Sequence, residues 1–277
     1  MYRYFQPTYV KSFRCDGQAC GAQCCRAGWA IEIDDDTRKK YLALDGLSDH
    51  LTFNDQLNKF CIEPDEHGAC PFLDDDDLCS IQKAMGEGML SETCRQYPRQ
   101  TLNFGEYFER SLSLVCPLVA DMVLNSARID FEWVEVDERT HRQSEIFEPN
   151  VPIEYRPQFA SIQQSAIAIL QCRSLPIADR LRELMAFFDV EPTDCRVPDR
   201  IDEIRLENYL VHEFFINAYP CRFDLPLELN LKIFLSNAEE LIARSPSLTI
   251  GAIRKFVTLS NHDMDYISDQ INRLQFA

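Results

Sequence analysis

Four cysteines crowd into eleven residues as Cys15-x4-Cys20-x3-Cys24-Cys25, and five more follow at Cys61, Cys70, Cys79, Cys94 and Cys116. Nine of the twelve cysteines thus lie between Cys15 and Cys116, with Cys172, Cys195 and Cys221 scattered over the longer remainder. The first residues, Met1-Tyr-Arg-Tyr-Phe-Gln-Pro, have neither a basic start nor an apolar run behind it, so no secretory signal is expected. A cytoplasmic setting follows, and there thiols stay reduced, so metal or redox chemistry is expected of the nine in place of a disulfide framework. The three stragglers read as small buried hydrophobes.

Zinc takes thiolates in pairs from tight turns, Cys-x2–4-Cys, and only Cys20-x3-Cys24 has that spacing. An iron–sulfur cluster offers each thiolate a separate iron, which suits ligands from scattered loops such as Cys70, Cys79 and Cys94. The expectation is an iron–sulfur cluster of the 4Fe-4S kind, with zinc as the alternative. The vicinal pair Cys24-Cys25 points two side chains in different directions, so one of the two is expected at that cluster and the other is free for a second metal or a hydrogen bond to sulfur. No Cys-x3-Cys-x2-Cys and no Gly-x-Gly-x-x-Gly after a strand occurs. Asp74 to Asp77 lacks the alternating ligands of a calcium loop and reads as a solvated acidic turn.

The chain has 277 residues and a formal net charge of −17. That charge argues against a nucleic-acid partner, which needs a surplus of Lys and Arg. No apolar run approaches the roughly eighteen residues of a membrane span.

The elements that must hold these cysteines are short. Trp29-Ala-Ile-Glu-Ile alternates like a strand, and Asp34-Asp-Asp-Thr opens a helix through Leu42. Apolar residues at Phe108, Leu112, Val115, Leu118, Val119 and Met122 predict a helix from Tyr107 to Asn125, with Cys116 on or beside its buried stripe. Beyond a polar stretch, helices are predicted near 158–173, 176–189, 201–219, 226–244 and 247–273, separated by prolines. The expected class is mainly α. A cysteine-rich metal-binding part with short strands (1–127) leads through a linker or surface hairpin (128–157) to a helical bundle (158–277).

In order, the motifs are Tyr9-Val-x2-Phe13-x-Cys15-x4-Cys20-x3-Cys24-Cys25-x2-Gly28-Trp29-x-Ile31-x-Ile33-Asp34, Cys70-Pro-Phe-Leu, Leu78-Cys79-x-Ile81-Gln82, Leu90-Ser-x-Thr-Cys94-Arg95-x-Tyr97-Pro98-Arg99, and Glu109-Arg110-Ser-Leu-x-Leu-x-Cys116-Pro. This series resembles the flagellin lysine N-methylase family (FliB-type), within the broader group of zinc- or iron-chelating CxxCxxCC proteins. Glu207-Asn208-Tyr209-Leu210-Val211 and Phe214-x4-Tyr219-Pro220 resemble its helical second half. The resemblance implies a bacterial, cytoplasmic enzyme that moves methyl groups from S-adenosylmethionine to lysines of flagellin, with an iron–sulfur cluster taking part. Cys15, Cys20, Cys24, Cys25, Cys70, Cys79, Cys94 and Cys116 match its cysteines, four of them holding one cluster, while Cys61 matches none.

Lysine methylation needs a neutral amine and a group that lowers its pKa or takes its proton. Tyr97 and Glu109 are the catalytic candidates, with Arg95, Arg99 and Arg110 as partners for the donor's carboxylate or for cluster charge. The other reading is a non-catalytic iron–sulfur or zinc protein for electron transfer or partner docking.

Overall fold

The computed structural model describes residues 1–142, 146–192, 195–198 and 200–275. Among the described residues helix dominates over strand. The strands among the described residues are β1 (Tyr2–Pro7), β2 (Ile31–Glu32), β3 (Leu51–Asn54), β4 (Lys59–Ile62), β5 (Arg99–Asn103), β6 (Phe108–Leu112), β7 (Phe131–Val136) and β8 (Ile146–Phe147). The front helices are short: α1 (Tyr9–Ser12), α2 (Gly17–Cys20), α3 (Asp35–Leu42), α4 (Ser80–Met85), α5 (Glu92–Gln96), α6 (Pro117–Leu124) and α7 (Glu138–Arg142). The later ones are longer: α8 (Arg156–Leu170), α9 (Ile177–Phe187), α10 (Glu203–Ile216), α11 (Leu227–Arg244), α12 (Ile250–His262) and α13 (Met264–Gln275).

More sheet is present than the sequence pattern suggests. A five-stranded mixed sheet has the order β7-β1-β6-β5-β8, with β1 parallel to β6 and β5 parallel to β8, and a three-stranded antiparallel sheet has the order β2-β4-β3. The helix predicted from Tyr107 to Asn125 is in fact strand β6, a turn, and α6. Every residue of β6 is buried, so the alternation that marks a half-exposed strand is missing and its apolar spacing imitates a helix. Pro117 then fixes the first turn of α6 and holds Cys116 extended before it, at φ −68° and ψ 125°. The last predicted helix is likewise two: Asp263 turns out of the helical region and its carboxylate accepts from Tyr266 N at 3.0 Å, capping α13. Within the stretch expected as linker or hairpin, β7 pairs along all of β1, from Tyr2–Val136 to Pro7–Phe131.

Two apolar clusters result. The larger one joins the sheet to the helices and includes Phe5, Phe13, Leu112, Cys116, Phe159, Phe214 and Phe256. The smaller one consists of Ile31, Ile33, Tyr41, Ile62, Phe72, Ile81 and Leu90, with Cys70 and Cys79 packed against it. Glu207, Asn208 and Tyr209 on α10 act in this packing. Glu207 takes Arg180 at 2.7 Å and Arg173 at 2.8 Å, Asn208 donates to Ser126 O at 2.7 Å, and Tyr209 is buried.

Candidate metal centre

Cys15 lies in the loop before α2, and Cys20 ends that helix. Gly21 and Ala22 then both take left-handed backbone, φ 61° and 50°, which turns the chain back so that Cys24 and Cys25 face the same space as Cys20. The next segment is zipped to this loop by Cys70 N donating to Cys25 O at 2.7 Å and Gly28 N to Gly68 O at 3.0 Å. A Cβ on Gly68 would stand 3.5 Å from Gly28 Cα, so the two strands of chain meet closely there. Asp65 shapes the approach by accepting from His67 N and Ala69 N.

Cys70 and Cys79 flank an acidic turn closed by a Leu73–Cys79 bridge. Asp74 organises that turn, accepting from Asp76 N and Leu78 N and pairing with Lys83 at 2.9 Å. Cys79 then precedes α4. Cys94 sits on α5, whose start is fixed by Ser91 accepting from Cys94 N at 3.1 Å and by Asp34 accepting from Glu92 N at 2.9 Å. The same Asp34 carboxylate caps α3 through Thr37 N, so one side chain ties α3 to α5. Cys116 caps α6.

All eight cysteines of the motif series line one cavity of about 140 Å³. Cys61 does not; it is fully buried on β4 with its thiol directed at Lys59 O, 3.8 Å away. The remaining lining is apolar or neutral, including Phe13, Trp29, Ile31, Phe72 and Leu118, with no Asp, Glu, Lys or Arg. A donor set made only of sulfur is soft, and it fits an iron–sulfur cluster or zinc and not a hard oxygen-seeking cation. Among the described residues, no three His, Cys, Asp or Glu side chains are gathered as the ligands of a single ion would be.

Electrostatics in the cavity follow from this crowding. Burial, then repulsion by Cys24 and Cys20, pushes the Cys15 thiol up to about 11, and burial pushes Cys94 up to about 12. In the vicinal pair the sulfurs are 4.0 Å apart and share a hydrogen bond, which lowers Cys24 to about 7 and raises Cys25. A cationic group would relieve the mutual repulsion, as thiolate ligation requires.

The other candidates separate. Tyr97 lines the cavity, edge-on to Trp29 at 5.8 Å, and burial raises its pKa so that it stays a neutral phenol. Glu109 is 2% exposed in the sheet layer; Tyr107 donates to it at 3.4 Å and the Gln163 amide lies 2.7 Å from the same oxygen. Burial holds its carboxyl well above the usual range. Arg110 stacks over Tyr4 at 4.3 Å and donates to Thr101 at 3.2 Å. Arg99 lies over Phe13 at 5.4 Å, where its charge lowers the Cys15 pKa, and Arg95 pairs with Glu92. None of the three arginines, nor Glu109, lines the cysteine cavity.

Sequence spacing gives no hint of Arg254. This α12 side chain donates to Val115 O and to the Gln23 side chain, one residue before Cys116 and Cys24 respectively. Among the described residues, no helix is long and apolar enough to cross a membrane.

No protein-family model matches the chain, and no solved structure matches it. Over 129 residues it is 39% identical to a lysine-N-methylase of Salmonella typhimurium and equally to one of Salmonella choleraesuis, covering 43% of this chain and 32% of each relative. It is 38% identical over 129 residues to the flagellar biosynthetic protein FliU of Salmonella muenchen, again 43% of this chain but 76% of that protein. The match thus spans about a third of the length of the two methylases.

Proposed function

Because this chain belongs to the flagellin lysine N-methylase family, we propose that it is a protein-lysine N-methyltransferase that draws its methyl group from S-adenosylmethionine, acts on flagellin, and carries an iron–sulfur cluster on cysteines of the cavity. The observation that carries the reading is the convergence of eight cysteines, from loops and helix ends spread over residues 15 to 116, on one cavity that Cys61 does not reach. Eight thiols are more than one ion takes, which is four, and favour a group containing several metals.

The donor supplies an electrophilic methyl carbon, and the residues of this chain must present a neutral amine to it. Apolar walls do part of that work, because desolvation disfavours the ammonium form and lowers the lysine pKa. Tyr97 stays protonated and serves as a hydrogen-bond donor in the cavity, where it can orient the donor or the amine. Arg99, beside Cys15, and Arg254, beside Tyr97, are arginines whose charge reaches the site. Glu109, Arg95 and Arg110 stand outside the cavity and hold β6 and α5 in place. A chain of net charge −17 also suits a substrate that presents lysines.

The test is anaerobic purification with metal and sulfide analysis and a visible spectrum, with and without S-adenosylmethionine, followed by transfer of labelled methyl to flagellin. Iron and sulfide, a spectrum that responds to the donor, and label on lysine are expected. Colourless zinc protein, or iron with no response and no transfer, would replace this reading with a structural or electron-transfer role.

A further inference from the structure

The eight thiols do not form one even ring. Cys15, Cys20 and Cys116 lie toward the larger apolar cluster: Cys116 is buried in it, and α2, which ends at Cys20, packs on α6, which Cys116 caps. Cys70 and Cys79 pack on the smaller cluster and are joined by the turn that the Leu73–Cys79 bridge closes. The other thiols follow the same packing. Cys15 lies two residues after Phe13 of the larger cluster and directly before Asp16, whose side chain caps the helix that ends at Cys20. Cys94 lies on α5, which packs on β2, and Ile31 of β2 belongs to the smaller cluster, whereas Tyr97 packs against the larger one.

The vicinal pair stands at the boundary. Cys25 is held to the second group by its carbonyl, which accepts from Cys70 N at 2.7 Å, and Cys24 is left to the first. Each thiolate of a cubane cluster caps its own iron and points away from the others. Two sulfurs 4.0 Å apart therefore do not suit two corners of one cluster.

We propose that the chain holds two separate metal–thiolate centres, one on Cys15, Cys20, Cys24 and Cys116 and the other on Cys25, Cys70, Cys79 and Cys94, so that no motif cysteine is left over. The inference rests on the metal reading above. The first centre adjoins Tyr97 and is the one placed for chemistry. The second braces a cluster of only seven buried apolar residues, a core small enough to need a metal staple.

The test counts iron, zinc and acid-labile sulfide per chain after anaerobic reconstitution of the full chain and of two double variants, Cys15→Ser/Cys116→Ser and Cys70→Ser/Cys94→Ser. Two clusters are expected in the unsubstituted chain, about eight irons with matching sulfide. The first double variant should keep half of that and lose one set of cluster signals in its electron paramagnetic resonance spectrum. Saturation at one centre, with methyl transfer intact, would overturn the proposal and leave the methyltransferase reading standing. Complete loss of metal from Cys15→Ser/Cys116→Ser would overturn the division into two sets. The count on the unsubstituted chain decides the matter even where Cys70→Ser/Cys94→Ser fails to fold. Absence of any metal from the reconstituted chain would overturn both readings.

Discussion

Arg254 on α12 donates to the carbonyl oxygen of Val115 at 2.8 and 3.1 Å, a contact between residues 139 positions apart. The same guanidinium reaches Gln23, so one helical side chain ties together the segments that carry Cys24 and Cys116. Arg254→Ala should lower stability by about 1.5–3 kcal/mol, the range for hydrogen bonds to a charged group. It should also speed metal release to a chelator several-fold, and Arg254→Lys should not restore the slow release because an ammonium lacks the fork. Denaturant unfolding and chelator kinetics measure both; release at the unsubstituted rate in Arg254→Ala would show that the tie is incidental.

Tyr97→Phe tests the phenol in the cavity. It keeps the ring against Trp29 and removes the donor, so metal content should be unchanged while kcat falls about tenfold, the worth of one hydrogen bond. A fall confined to KM would place the hydroxyl in ground-state binding instead.

Glu109 sets a pH dependence of stability. Its folded pKa is raised, so its contribution is complete below the ordinary value of 4.5 and declines as pH climbs toward the folded value, where a buried carboxylate must form. Glu109→Gln has no such proton to lose. Between about pH 5 and pH 8 it should lose less unfolding free energy than the unsubstituted protein, and methyl transfer should survive. Parallel stability curves would refute the buried neutral acid.

Removing Glu207 leaves Arg180, 3% exposed at its side chain, without its carboxylate. Glu207→Ala is expected to cost about 3–5 kcal/mol, because an uncompensated buried charge remains. Chemical denaturation gives the number, and a loss under 1 kcal/mol would mean that water reaches the arginine.

Cys61 and Cys94 make a matched pair. Cys61→Ala should keep full metal content and lose about 1 kcal/mol from a small cavity, whereas Cys94→Ala should lose iron. Equal iron loss in both would break the correspondence between cavity lining and ligation.

Much of the site is legible in the chain. Cysteines at such density, followed by Cys-Pro and Cys-Arg-x-Tyr-Pro-Arg signatures, carry their chemistry in residue type and order, and those same eight side chains line the cavity while Cys61 points elsewhere. The long helices are legible too: α8, α9 and α11 each present an apolar stripe bounded by prolines or caps, and α10, buried on every side from Leu206 to Ile216, is marked by its length and its Asp202 cap. Strand β6 is not, because a strand buried on both faces has no alternation to read. Tyr97 and Glu109 read alike as candidates, and what separates them is which way the folded chain turns them: Tyr97 into the cavity, Glu109 between Tyr107 and Gln163.

The sequence by itself therefore determined which atoms this protein offers for chemistry, sulfur above all, because side-chain identity and local spacing are written residue by residue. Only the tertiary structure decided how those atoms are grouped: Cys116 set in the larger apolar cluster and Cys70 and Cys79 against the smaller, Glu109 withdrawn into the sheet layer, and Arg254 brought to Val115 from the far end of the chain. Grouping depends on long-range packing of buried faces, and that is a property of the whole chain that no local pattern records.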